Sequence, residues 1–517
     1  MDDREIELKL QIAAEDMARL RRNPALRAMT DGRPVTRRLR SVYFDTPRLQ
    51  LWKKRVTLRL RQIGKRQVQT IKANGVGRVG VTDRNEWETD VNGDSPDLAA
   101  ACEPLVAELL QKSKVKRRIA PAFETDIRRT TRQLKAPGGG RIELAIDVGE
   151  IRRGDSWLSI SEAELELKRG RPGQLYDVAR MLNDVVPVRI GAASKAERGF
   201  SMLTGQPPRP SRASPLVLDP AMSTDDAFHD VVCACVDHLM RNEAPFVQAR
   251  DPDGVHQMRV ALRRLRTACS VSGDLVASPE TEAIEDEARW LSGALGLARD
   301  LDVFVDGVLA GVLAAKGKDK RLLALRDAAI ALRDASRREA LHAIGSPRYT
   351  AFLLRLGAWA ADRRWRREGD NAQQALLAAP VTEAARRMLE RRYRKLARLG
   401  RRIEDLDEAD RHRLRICVKK LRYAGAFFAS LYAKKPTTAF LTQLSVLQDS
   451  LGALSDGVVA RAVMEQIVEN PPANGREKDL QWAVGMVTGW HDRQANKKWS
   501  KVARQWQSLR KQPKFWR

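Results

Sequence analysis

Near residue 205 of this 517-residue chain the spacing of apolar residues changes from every second position to every third or fourth, which limits the available folds more than any single motif. Upstream, short alternating segments recur: "EIELKL" from Glu5, "RVTLRLRQI" from Arg55, "RNEWETDV" from Arg84, "RIELAIDVGEI" from Arg141 and "EAELELKRG" from Glu162. Helical patterns near 13–22, 96–112 and 172–186 interrupt them, so an α+β domain made mostly of strand is expected. Downstream, segments rich in Ala, Leu and Arg keep the helical period and predict an all-α domain. Between them "GQPPRPSRASPLVLDP" holds five prolines in sixteen residues and reads as a linker. The expected layout is a first domain over 1–203, a linker over 204–220 and a helical domain over 221–510.

The predicted strands sort their charges. In "EIELK", Glu5, Glu7 and Lys9 share one face, and Ile6 and Leu8 the other. Thr57, Arg59 and Arg61 likewise oppose Val56, Leu58 and Leu60; Glu164, Glu166 and Lys168 oppose Leu165 and Leu167; Arg141, Glu143 and Asp147 oppose Ile142, Leu144 and Ile146. A solvated sheet face accounts for any one of these strands. It gives no reason for some faces to be mostly acidic and others purely basic. A sheet closed into a barrel does, with apolar side chains packed outward on helices and charges lining a wet lumen. Carboxylates there can hold Mg²⁺ or Mn²⁺, and Arg and Lys can neutralise phosphate oxygens. The overall charge agrees: 93 Lys and Arg against 66 Asp and Glu give +27, divided as +12 over 1–203 and +15 over 204–517, so a polyanionic partner is expected. Aromatic residues are only 5% and do not interleave with the basic clusters, which disfavours nucleic acid and leaves a phosphate chain without bases.

Taken in order, the leading Glu-x-Glu-x-Lys, the Arg-x-Arg of "TLRLR", the Lys of "TIK", the acid of "RNEWE", the late Glu-x-Glu and the terminal "SKAERGF" resemble the CYTH domain of triphosphate tunnel metalloenzymes. The resemblance covers about residues 3–203 and implies an eight-stranded antiparallel tunnel barrel. It implies metal binding by Glu5, Glu7, Glu86, Glu164 and Glu166, and a triphosphate gripped by Lys9, Arg59, Arg61, Lys72, Arg128, Lys195 and Arg198, with Glu5, Glu7 and Lys9 at the catalytic centre. Glu88 shares a strand face with Glu86, so either acid could serve; Glu143, Asp147 and Glu150 read better as surface acids. The implied activity is metal-dependent hydrolysis of inorganic triphosphate. Thiamine triphosphatase, class IV adenylyl cyclase or a tunnel that merely binds are the alternatives.

In the helical part, "VHQMRVALRRLR" from Val255 and "RHRLRICVKKLR" from Arg411 align at an offset of 156 residues, and the same offset maps Leu295, Gly296 and Asp300 onto Leu451, Gly452 and Asp456. One offset shared by two separated motifs is an internal duplication. Helical spacing puts His256, Arg259, Arg263 and Arg266 on one arc, where stacked like charges call for an anion or for acidic partners such as Asp300 and Asp456. This arrangement resembles the CHAD domain, a module associated with inorganic polyphosphate. The resemblance implies two pseudo-symmetric four-helix bundles, about 221–350 and 380–510, with polyphosphate bound by His256, Arg259, Arg263, Arg264, Arg266 and by His412, Arg415, Lys419, Lys420, Arg422.

Other features read as structural. Trp482, Trp490, Trp499 and Trp506 suit helix packing, "GVGRVG" from Gly75 and "PGGG" from Pro137 suit turns between strands, and Cys233 and Cys235 suit burial as small hydrophobes. No apolar run reaches membrane-spanning length and "MDDREIELK" lacks a signal pattern, so the expected location is the cytoplasm, with association to polyphosphate granules following from the second resemblance.

Overall fold

A computed structural model of the chain describes residues 4–100, 104–191, 193–317, 319–366, 370–470 and 476–517, with side chains described except at 4, 5, 74–78, 82–85, 274 and 494–498. Contacts divide it into two units: residues up to Pro208 together with Ser346–Arg364, and Arg209–Gly345 together with Trp365–Arg517. Among the described residues no helix is long and apolar enough to cross a membrane.

The first unit is an antiparallel sheet of β1 (Arg4–Ile12), β2 (Thr30–Asp45), β3 (Thr57–Ile63), β4 (Arg66–Arg78), β5 (Val81–Asp90), β6 (Ala120–Ala136), β7 (Gly140–Arg153), β8 (Ser156–Arg169) and β9 (Val188–Ile190). Its order is β5-β4-β3-β2-β6-β7-β8-β1-β9, and β1 also pairs with β5. Eight strands therefore close on themselves. The ninth, unforeseen in the sequence because it is three residues long, shares an edge of β1 with β5: Arg4–Leu8 pair with β5 and Leu10–Ile12 with β9. Closure obliges each strand to turn one face inward. Leu8, Leu10, Leu58, Leu60, Ile142, Leu144 and Leu165 take the outer face and are buried, while their charged neighbours face the lumen.

Two helices position the site. Helix α1 (Gly173–Asn183) buries Leu175, Tyr176, Val178, Ala179 and Leu182. Helix α2 (Lys195–Thr204) starts with a capping box between Ser194 and Glu197 and plugs one end of the barrel. Phe200 is fully buried, stacked on Trp52 and edge-on to Phe123, in a cluster with Tyr43, Ile151, Ile160 and Ala196. A Cβ on Gly199 would lie 2.3 Å from the Phe123 ring, so the plug seats only with glycine there. The "SKAERGF" motif thus encodes cap, lumen lysine, close approach and plug in turn. The helix Pro347–Ala361 also belongs to this unit. It lies along α1 with Gly357 against the Tyr176 ring, Thr350 Oγ1 donating to Val188 O at 2.9 Å and Arg364 paired with Asp177 at 2.7 Å.

The second unit is helical: α3 (Thr224–Arg241), α4 (Pro252–Ser272), α5 (Pro279–Ala294), α6 (Lys320–Gly345), α7 (Val381–Gly400), α8 (Glu408–Phe427), α9 (Lys434–Glu469) and α10 (Glu477–Lys511). The offset of 156 found in two motifs carries through all four pairs: α3 falls on α7, α4 on α8, the start of α5 on that of α9, and α6 on α10. The copies differ after α5. The first copy breaks at Leu295, resumes over Gly296–Val303 and passes into a π-helical turn over Phe304–Leu309, where α9 runs unbroken. α4 packs on α8; α6 packs on α10 around a core, shared with α9 and the segment after α5, that includes Leu301, Phe304, Leu325, Met464 and Val487. Trp499 and Trp506 of α10 are buried in packing, with Arg411 over Trp499; Trp490 lies under Lys316, and Trp482, under Arg321, is exposed rather than packed. Cys233, Cys235 and Cys269 are buried thiols.

Candidate functional site

The lumen encloses a cavity of about 400 Å³ lined by Glu7, Lys9, Arg59, Arg61, Lys72, Glu86, Glu164, Glu166 and Lys195, nine of the residues expected to meet there. The register explains the convergence: Glu7 lies opposite Glu166 and Lys9 opposite Glu164 across β1 and β8, and Lys72 opposite Glu86 across β4 and β5. Lys9 pairs with Glu7, and with Glu164 at 3.3 Å. Lys72 reaches Glu86 at 2.7 Å and Arg59 reaches it at 3.4 Å, so Glu86 is the acid built into the cluster, while Glu88 is half-exposed at the rim and accepts from Thr70 at 3.1 Å. Glu166 pairs with Lys168. The Glu5 side chain lies outside the described residues.

Two expected residues are elsewhere. Arg128 is exposed on the outer face of β6, beside Arg38 and Asp126, and the lumen arginine is its neighbour Arg129. "DIRRTTR" carries charge in both phases of the strand, and inward-facing Ile127 hides the true one. Arg198 turns away from the cavity, donating to Ser159 O and reaching Glu162 at 3.4 Å.

Sequence reasoning also missed a buried acidic cluster behind the cavity wall. Asp147, expected as a surface acid, is fully buried. It groups with buried Glu162 and Glu164, their carboxylate oxygens within 4.8 Å of one another. Lys195 holds all three, at 2.6 Å to Asp147 and 2.9 Å to Glu164 as well as to Glu162, and Arg129 bridges Asp147 at 2.6 Å and Glu164. Glu162 was legible: it sits two and four residues before Glu164 and Glu166, on their strand face. Burial alone would push the Glu164 carboxyl up, but the charges of Lys195, Lys9 and Arg129 outweigh it and hold it well below the usual carboxylate range. The same carboxylates outweigh burial at Lys195 and raise its ammonium. Among the described residues Arg61 has no carboxylate partner. Its Nε donates to Ser41 Oγ at 3.2 Å, and burial beside Arg59 and Arg129 pushes it down to about 10.

The helical unit gathers a second set. Arg259 donates to Leu295 O at 3.2 Å, the carbonyl freed by the helix break, and pairs with Asp300 at 3.6 Å; Arg415, its counterpart, donates to Ser455 Oγ. Burial, with Arg415, Arg263 and Arg259 close by, pushes Lys419 down to about 7. Burial beside Arg299 and Arg263 pushes His256 down to about 4, so it is neutral at pH 7. Arg422 leaves this set for Gln448 at 2.7 Å, Lys420 and Arg266 lie toward Ser270, and His412 is exposed. Arg264 is not on the stripe: one residue past Arg263 turns the helix by a quarter, and its guanidinium is buried over the Phe427 ring at 5.4 Å.

The CYTH domain family matches residues 3–200 and the CHAD domain family residues 230–465. An uncharacterized protein of Mycobacterium tuberculosis is 27% identical over 455 residues, 82% of this chain and 81% of its own length. The inorganic triphosphatase of Haemophilus influenzae is 31% identical over 197 residues, 38% of this chain and 54% of the triphosphatase. Among solved structures, the CHAD domain of the plant Ricinus communis matches with a TM-score of 0.51 at 30% identity, over 59% of this chain and 99% of the plant domain.

Proposed function

Since this chain belongs to the CYTH family in its sheet unit and to the CHAD family in its helical unit, we propose that the tunnel hydrolyses inorganic triphosphate with Mg²⁺ or Mn²⁺ and that the helical unit binds inorganic polyphosphate. The observation that carries the first part is the pairing of like charges inside a closed sheet. Glu166 faces Glu7 on one side and Glu143 on the other, and Asp147 faces Glu162. Directly opposed carboxylates destabilise a sheet unless cations lie among them; Lys9, Lys168 and Lys195 serve in that role, and a divalent metal can replace them when the lysines turn to phosphate. Glu7, Glu164 and Glu166, with Glu5 and Glu86, offer the hard oxygen donors that Mg²⁺ or Mn²⁺ takes, so the residues fit the ion. When bound, such an ion polarises phosphoryl oxygens.

The chain's own part is to neutralise and align. Triphosphate carries about four negative charges that repel an attacking water, and catalysis of its hydrolysis is mostly positioning and electrostatic stabilisation. Lys9, Arg59, Lys72, Arg129 and Lys195 exchange carboxylate contacts for phosphate oxygens, and Arg61 gains a direct counter-charge. The α2 plug closes one end, which favours a short chain. The Haemophilus influenzae triphosphatase relative supports this substrate over thiamine triphosphate or a nucleotide. Arg259, Arg263, Arg415 and Lys419 take polyphosphate in the helical unit, which raises the local concentration of phosphate chains and carries the protein to polyphosphate granules.

Glu7→Gln keeps the shape and removes one charge. Phosphate release from triphosphate with either metal should fall about 100-fold with the circular dichroism spectrum unchanged; release at the unaltered rate overturns the tunnel assignment. Arg259→Ala with Arg415→Ala should abolish retention on immobilised polyphosphate, and retention as strong as before overturns the second assignment.

A further inference from the structure

The duplication gives the helical unit two equivalent routes away from its central basic set, one along each of α4 and α8, and the two routes end differently. Along α4, Arg259, Arg263 and Arg266 share their arc with Ser270, which continues the stripe for about 16 Å in all. At Ser270 the stripe meets α7 and α8: Lys420 Nζ and Arg392 Nη2 both donate to Ser270 Oγ at 3.1 Å, and Arg392 also reaches its carbonyl. Beyond them lie Lys395 and Arg398, both exposed. Among the described residues no carboxylate pairs with Arg266, Lys420, Arg392, Lys395 or Arg398, and burial together with Arg392, Lys395 and Arg266 lowers the Lys420 ammonium.

Along α8 the corresponding route is shut. Ala426 stands where Ser270 would be, and Arg264, the counterpart of Lys420, is buried over Phe427. The counterparts of Arg392 and Lys395 are Val236 and Leu239, buried in the core. The helices themselves have diverged in charge. α7 holds seven Lys and Arg against two Glu, whereas α3 holds four Asp against one Arg.

We infer that the crevice where α7 and α8 meet Ser270 is a second phosphate-binding site, absent from the first copy, that takes one end of a phosphate chain drawn from the central set along α4. The pseudo-symmetric unit therefore binds its polyanion in one direction only. This rests on the reading that the helical unit binds polyphosphate. A chain must be long enough to follow the stripe before it touches the crevice, so the site discriminates by length, and an isolated phosphate ion competes only for the crevice itself.

The test compares three variants of the full chain for binding to polyphosphate of about 60 phosphates and to triphosphate, across a salt series. Lys395→Glu with Arg398→Glu should weaken the long chain about tenfold and flatten its salt dependence by roughly two counterions, with triphosphate binding unchanged. Arg386→Glu with Arg387→Glu, exposed on α7 away from Ser270, applies the same change in net charge and should weaken it less than threefold. Arg259→Ala with Arg415→Ala addresses the underlying reading. If that variant still binds the long chain normally, polyphosphate binding by this unit fails. If it loses binding while the two α7 variants behave alike, polyphosphate binding stands and the directional crevice falls. Protection of Cys417, which lies beside Lys420 and Arg392, from alkylation by the long chain but not by inorganic phosphate at equal phosphorus is the expected second readout; equal protection by both would make the crevice a site for free phosphate.

Discussion

The lumen of the sheet and the basic stripe of the helices both gather cations, yet they hold them in opposite ways. In the lumen Lys9, Arg59, Lys72, Arg129 and Lys195 each touch a carboxylate, and among the described residues Arg61 does not. In the helical unit Lys419, Arg263 and Arg415 face one another, and the nearest acids, Asp300 and Asp456, are too few to balance them. A compensated lumen is stable empty and can admit metal and anion together. An uncompensated stripe is strained empty and gains whenever a polyanion arrives.

On that contrast, removing a cation should have opposite effects in the two places. The largest effect is expected for Lys195→Met, which strands the buried acids Asp147, Glu162 and Glu164. Thermal unfolding should show a loss of about 3 kcal/mol or more along with loss of triphosphate hydrolysis, and an unaltered melting temperature would break the comparison. Lys419→Met removes an ammonium that is already surrounded by cations. It should leave stability unchanged or raise it by about 1 kcal/mol in the absence of anion, while shrinking the rise in Tm produced by polyphosphate.

The smallest effect is in pH. Lys419 lies near Arg415 on its own helix, Arg263 and Arg259 on α4 and Asp456 on α9, and titrates near 7 folded against 10.5 unfolded. Its cost to stability is therefore complete below pH 7 and fades as pH rises toward 10.5. Glu164, held below its unfolded value of 4.5, runs the other way: it contributes stability above that value and loses it as the solution becomes more acidic. Polyphosphate must reprotonate Lys419 above pH 7, so binding should take up a proton and weaken a few-fold between pH 7 and 8. Calorimetry in buffers of different ionisation heat measures this uptake, and Lys419→Arg should erase it.

The sequence was most informative where a periodicity forces geometry. Glu7, Arg59 and Glu164 were legible because a half-apolar strand in a closed sheet has only one way to turn. Arg128 was mistaken for Arg129 because both phases of that strand carry charge, and Asp147 was read as a surface acid because Lys195 is far away in the chain and near only in the fold, although Arg129 faces it directly across the β6–β7 hairpin. In the helices the 156-residue offset revealed the copies, but not that Arg264 would turn inward onto Phe427, a choice made by packing rather than by spacing. The ninth strand and the attachment of Pro347–Ala361 to the sheet unit carry no local signal at all.

That last helix changes what it means to cut this molecule in two. A protease nicking the proline-rich stretch would release no free pieces, because the C-terminal fragment still owns the helix seated along α1, through Gly357 on Tyr176 and Asp362 on the Gly173 amide. The nicked protein should show two bands on a denaturing gel and a single peak on a sizing column. A gene fragment ending at Pro208 would instead leave that face of α1 bare, so a well-folded sheet fragment calls for grafting residues 346–364 back on.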